Sequence, residues 1–253
     1  MKRSLSGRIG IAVAFSVVIL FNYLANAVPL GGQTTGAISD LYDSLFTPAG
    51  FTFAIWGIIY LALLGFVIRQ FLDKPHEVPA LSAIRTLFVV NSAANALWIV
   101  AWHYDYLWAS MGIMIVILWT LVKINSVIFA DTSLKKGWSY FCVALPFSIY
   151  FGWISVATIA NVSVLQSAFG LNDFLLSQEI WTALKLIIAG GAGYAWGWRY
   201  KQPAYLLVIA WAAYGISVAN VDHKEIQLAA QVLSVASVIG ALFAWKSRKH
   251  HAA

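Results

Sequence analysis

The sequence predicts an all-α fold: a polytopic transmembrane helix bundle of about eight spans with the N- and C-termini cytoplasmic. Three observations predict it. Of 253 residues, 61% are hydrophobic and only 10% are charged, with a mean hydropathy of +0.78, a balance foreign to soluble domains. Apolar runs of about bilayer length, roughly 20 residues at 1.5 Å each, recur at 8–28, 50–71, 81–102, 107–129, 138–160, 178–197, 204–220 and 226–245. Cations then gather at one end of those runs, with most of the acids at the other.

That sorting sets the topology. With eight spans, Lys2, Arg3, Arg8, Arg69, Lys74, Arg85, Lys123, Lys135, Lys136, Arg199, Lys201, Lys246, Arg248 and Lys249 share one side. Asp40, Asp43, Asp105, Asp173, Glu179, Asp222 and Glu225 take the other, with Lys224 the loop cation among them. The excess of Lys and Arg marks the cytoplasmic side. The expected location is the inner (plasma) membrane, multi-pass, with the lipid bilayer as partner. The net charge of +6 follows from topology and does not point to nucleic acid.

The first run has a second reading. Lys2 and Arg3, an apolar stretch and Ala25-Asn26-Ala27 imitate a secretory signal. The stretch is longer than a usual signal core, so a retained helix is expected. The second run opens with TPAGFTFAIWGIIY, Thr47 to Tyr60. Thr47, Pro48 and Gly50 make a turn, and Phe51 begins the apolar stretch. Trp56 and Tyr60, four apart, share a face. In the third run Asn91, Asn95, Trp98 and Trp102 form one stripe. In the fifth, Tyr150, Trp153, Ala157 and Asn161 form another, above Pro146, whose missing N–H should loosen the helix.

Amide and indole groups on these stripes would lose their water partners in lipid, so they face protein or a ligand. Two readings remain open. The stripes are interhelical hydrogen-bond glue, or they line an aromatic cavity for a flat apolar molecule with polar edges.

The later runs read mainly as packing faces. Gly190, Gly191, Gly193 and Gly197 make one close-approach stretch; Ala230, Ser234, Ser237 and Gly240 make another. Asn26, Asn161 and Asn220 each close an outward-going run, either as helix C-caps or as a polar rim. Lys185 lies within a span. It either snorkels outward or supplies a counter-charge to an anionic ligand. His103 offers an interfacial side chain or a haem ligand. Cys142 is the single cysteine, which excludes a disulfide framework. A phosphate loop, HExxH, nucleophile elbow and CxxC are all missing from the sequence, so an enzyme is not expected.

These residues resemble the translocator protein family, also called tryptophan-rich sensory proteins (TspO/MBR). TPAGFTFAIWGIIY is similar to its Pro-rich loop and W-x-x-L-Y helix start. Asn91-x-x-x-Asn95-x-x-Trp98 is similar to its Q-x-x-x-N-x-x-W helix, with Asn for Gln. WISVATIAN, Trp153 to Asn161, is similar to its W…A-T-x-L-N stretch. The resemblance divides the chain into a five-helix core over 1–161 and a three-helix extension over 162–253 of the same integral domain. It departs in the first loop, where Tyr42, Leu45 and Pro48 stand for the family's aromatic and Lys-Pro pairs, and in lacking the sterol pattern after Asn161.

The resemblance implies a pocket lidded by the first loop. It implies a hydrophobic or tetrapyrrole-like ligand, such as a porphyrin or haem, with no cofactor required. The site residues expected are Pro48, Phe51, Trp56, Tyr60, Asn91, Asn95, Trp98, Trp102, Tyr150, Trp153, Asn161 and Lys185. The function implied is sensor, chaperone or carrier. A secondary transporter and an assembly subunit of a membrane complex are the alternatives, and a homodimer is left open.

Overall fold

A computed structural model describes residues 5–42, 44–72 and 79–249, and these are helical with short connections. Lys2, Arg3, Asp43, Lys74, Pro75 and the His250–His251 pair lie outside the described residues. The elements are α1 (Leu5–Asn26), α2 (Thr35–Asp40), α3 (Ile55–Leu72), α4 (Pro79–His103), α5 (Leu107–Ala130), α6 (Gly137–Ser139), α7 (Leu145–Ala168), α8 (Gln178–Ala192), α9 (Pro203–Ala219) and α10 (Lys224–Lys249). The apolar runs read from the sequence each became helix.

Local chemistry explains the boundaries. Ser177 caps α8, its hydroxyl accepting from the Ile180 N–H, with Glu179 in the first turn. Pro203 opens α9, where its missing N–H costs nothing. α7 ends at Ala168 and is closed by Gly170, whose φ is 66°. The Leu171 N–H donates to the Gln166 carbonyl and the Gly170 N–H to that of Ser167, the paired closure that a left-handed glycine permits. The loosening expected at Pro146 is a π turn over Tyr140–Ala144, where the Leu145 N–H reaches back to the Tyr140 carbonyl. A second π turn, Gly193–Trp198, follows α8.

Among the described residues, six segments are long and apolar enough to cross a membrane: Ser6–Gly32, Gly50–Leu72, Ala80–His103, Leu107–Ala130, Gly137–Ala168 and Lys224–Arg248. The chain is therefore a multi-pass membrane protein. α9 is apolar but has 17 residues, about 26 Å of helix against a hydrocarbon core of about 30 Å. α8 has 15 residues before its π turn.

Packing divides the chain into two compact units. One comprises the described residues of 1–35 and 56–151; the other comprises those of 36–55 and 152–253. In the first, α1 packs on α4 and α4 on α5. Phe66, Phe88 and Phe147 form its aromatic centre, with edge-to-face contacts at 5.0–6.0 Å.

In the second unit α10 packs along α9 and α8. The small residues explain the close approach. A methyl on Gly197 would lie 2.5 Å from Leu206, and one on Gly190 would lie 3.1 Å from Leu233. Gly191 faces open space; it does not belong to that face. The Ser234 hydroxyl donates to the Ala210 carbonyl at 3.0 Å.

Candidate functional site

The polar stripe of α4 meets α1 and α7 in the first unit. Asn22 of α1 donates to Asn95 Oδ1 at 3.1 Å, and Asn95 Nδ2 donates to the Tyr150 hydroxyl oxygen at 3.0 Å. Both α4 and α7 groups are buried, Asn95 at 1% and Tyr150 at 2% exposure. The series runs one way. Because Tyr150 accepts from Asn95, its own O–H is left to donate elsewhere.

Beside it lies a small void lined by Phe15, Val18, Tyr60, Phe88, Ser92 and Tyr150, among others, with about 10 Å³ open to the centre of a water molecule. Tyr60 Oη and Ser92 Oγ are buried there without a hydrogen-bond partner. Leaving such groups unpaired costs about 1–3 kcal/mol each. The void accommodates about one water. Trp56 packs on two of the lining rings, stacked on Tyr60 at 5.4 Å and edge-on to Tyr150 at 5.9 Å.

Other members of the α4 stripe do different work. Asn91 donates to Thr120 Oγ1 at 2.8 Å and to the Ile117 carbonyl at 3.3 Å. It ties α4 to α5, as interhelical glue does, although it also borders the void. Trp98 stacks on Trp102 at 5.4 Å, and the Trp102 indole N–H donates to the Thr35 carbonyl at 3.2 Å. His103 is buried; its Nδ1 sits 2.8 Å from the Ile99 carbonyl and its Nε2 has no partner.

The second unit holds Pro48, Phe51, Trp153, Asn161 and Lys185. Residues 44–54 form a strap along α9. Asn220 Nδ2 donates to the Leu45 carbonyl at 2.9 Å, the Ala49 N–H donates to the Gly215 carbonyl at 3.1 Å, and the Trp211 indole donates to the Thr52 carbonyl at 3.0 Å. Phe51 packs edge-on against Trp211 and Tyr214. Gly215 is required by this contact, since a methyl there would sit 2.2 Å from Thr52 Cγ2 and 3.2 Å from Pro48. Phe53 meets Trp153 edge-on at 5.8 Å. Partial burial pushes the Asp40 carboxyl above its ordinary range.

The C-cap reading fails for Asn161, which lies inside α7, buried at 2%, because the helix runs on to Ala168. Asn220 is the C-cap of α9, at φ −112° rather than in the left-handed region, and its side chain is spent on Leu45 and Ile216. Lys185 reaches the α7–α8 loop through Gln166. It is 9% exposed, and Nζ donates to Gln166 Oε1 at 2.6 Å.

Sequence reasoning missed Asn22, Ser92 and the strap anchors Trp211 and Gly215, and it singled out Asn220 without its role as an anchor. Asn22 was detectable as the amide interrupting the apolar run VVILFNYLAN. Among the described residues no group of three His, Cys, Asp or Glu side chains is placed to hold a metal.

The model of a family described as TSPO-like protein matches residues 8–243. Comparison with curated proteins and with solved structures gave no match.

Proposed function

This chain belongs to the TSPO-like protein family, and we propose that it binds a hydrophobic small molecule in the first unit, acting as sensor, chaperone or carrier. The observation that carries the reading is the Asn22–Asn95–Tyr150 series, which leaves the Tyr150 O–H to donate at a void also lined by Tyr60 and Ser92, whose hydroxyls have no partner. Three O–H donors at one void suit a hydrogen-bond acceptor. A carbonyl or carboxylate edge on an otherwise apolar molecule meets that need, and tetrapyrroles carry such edges.

The void is far smaller than the roughly 300–1,000 Å³ of drug-sized sites. The body of a ligand therefore enters by parting the half-buried Trp56–Tyr60 stack, of which Tyr60 lines the void. The polar edge occupies the void while the apolar part replaces the stacked rings. The loop Lys and Arg, Lys224 apart, gather on one side of eight helical runs, which favours eight spans with both termini cytoplasmic, and the cell inner membrane as the location.

Equilibrium titration of a porphyrin against purified protein, read by tryptophan quenching, tests binding. Uptake of the same labelled porphyrin into proteoliposomes separates a carrier from a sensor or chaperone.

A further inference from the structure

Lys185 and Gln166, in the second unit, make a site of different chemistry. Lys185 stands eight residues past the Ser177 cap, about 12 Å along α8. A lysine at that depth ordinarily reaches for water or pairs with an acid. Among the described residues no carboxylate lies within ion-pair distance of it, and its partner is the neutral carboxamide oxygen of Gln166.

Gln166 is held in turn. Its Nε2 donates to the Leu171 carbonyl at 3.0 Å, just past the Gly170 closure of α7. The carboxamide thus links the ammonium to the loop that joins α7 to α8. An ammonium has three donors, and one is used here. The site holds positive charge and unused donors, two on the ammonium and a second N–H on Gln166 Nε2.

The loop beyond it is apolar and exposed. Phe169, Leu171, Phe174 and Leu175 are 53%, 42%, 57% and 81% exposed. Leu175 keeps φ at 66°, a conformation costly for a bulky residue, and the Trp181 indole N–H holds the adjacent Phe174 carbonyl at 3.0 Å. Gln166 is half-exposed, so the ammonium is approached past it from the loop side.

We propose that Lys185 and Gln166, with the 169–175 loop, bind the oxyanion of an acyl-chain amphiphile, a phospholipid phosphate or a fatty-acid carboxylate. The oxyanion takes the unused ammonium donors and supplies the missing counter-charge. The acyl chain lies along the exposed loop side chains. The site is independent of the ligand void of the first unit and stands or falls without it.

Thermal unfolding of the full chain in one non-ionic detergent tests it, with added dioleoyl phosphatidylglycerol, dioleoyl phosphatidylcholine or oleate. The expected result is a rise in midpoint of about 5 °C with phosphatidylglycerol, oleate or both, and no comparable rise with the zwitterionic lipid of equal chains. A response to phosphatidylglycerol alone assigns the phosphate, and a response to oleate alone assigns the carboxylate. Lys185→Arg should keep the response, and Lys185→Met should lose it. Gln166→Glu builds the counter-charge into the chain, so it should fold yet lose the response, which keeps the test decisive if Lys185→Met does not fold. Equal responses to anionic and zwitterionic lipid in the parent, or an intact anionic response in Gln166→Glu, would overturn the proposal.

Discussion

Asn95 donates to Tyr150 across the α4–α7 contact at 3.0 Å, while accepting from Asn22 of α1 at 3.1 Å. One carboxamide thereby joins three helices and leaves the Tyr150 O–H available to donate. Removing either partner strands the other in a buried site. In a double-mutant cycle of Asn95→Ala and Tyr150→Phe, the coupling should be about 1 kcal/mol, in the range of membrane interhelical hydrogen bonds. Thermal or denaturant unfolding in detergent measures it. Strict additivity would show that the bond contributes nothing.

Much of this was legible beforehand, and the reasons are local. Helical runs followed from hydropathy because lipid demands length. The Asn95, Tyr150, Trp56 and Tyr60 group followed from 3.6-residue spacing, which aligns side chains on one helix. Partners on other helices did not follow. Nothing in the order of residues says that Asn91 turns to Thr120 while Asn95 turns to Tyr150. The first loop was read with the core that carries its motif, yet residues 36–55 pack with the C-terminal helices. Its anchors donate to backbone carbonyls, which are the same for every residue type and leave no sequence signature.

The strap yields a prediction about the added helices. Gly215→Val cannot keep the Thr52 and Pro48 contacts, so residues 44–54 should become cleavable. Limited proteolysis should cut the variant several-fold faster there than the parent. Asn220→Ala, which removes one anchor to Leu45, should give a smaller increase. Equal cleavage of Gly215→Val and parent would remove the strap role.

Topology makes a separate prediction. A reporter after Ala253 should lie in the cytoplasm, and one inserted near Gly36 should lie outside. Six spans also leave both termini on one side, so a third reporter is needed near Gln202, between α8 and α9. Cytoplasmic labelling there supports eight spans; outside labelling contradicts them.

Trp98 is buried at 7% and stacked on Trp102, so its first role is packing. Trp98→Ala should lower stability by about 3 kcal/mol, as large aromatic truncations in cores do. The melting temperature in detergent should fall accordingly. A variant as stable as the parent would mean that the stack carries no packing energy.

The hydroxyl void is tested most directly by porphyrin affinity in Tyr60→Phe with Ser92→Ala. The two changes delete buried hydroxyls that lack partners and leave the stack and the Asn95 series in place. Unliganded protein should hold or raise its melting temperature, since unpaired groups are removed. The dissociation constant for the porphyrin should rise about tenfold, the equivalent of about 1.4 kcal/mol. An unchanged dissociation constant in the folded double variant would contradict the account and place the ligand elsewhere.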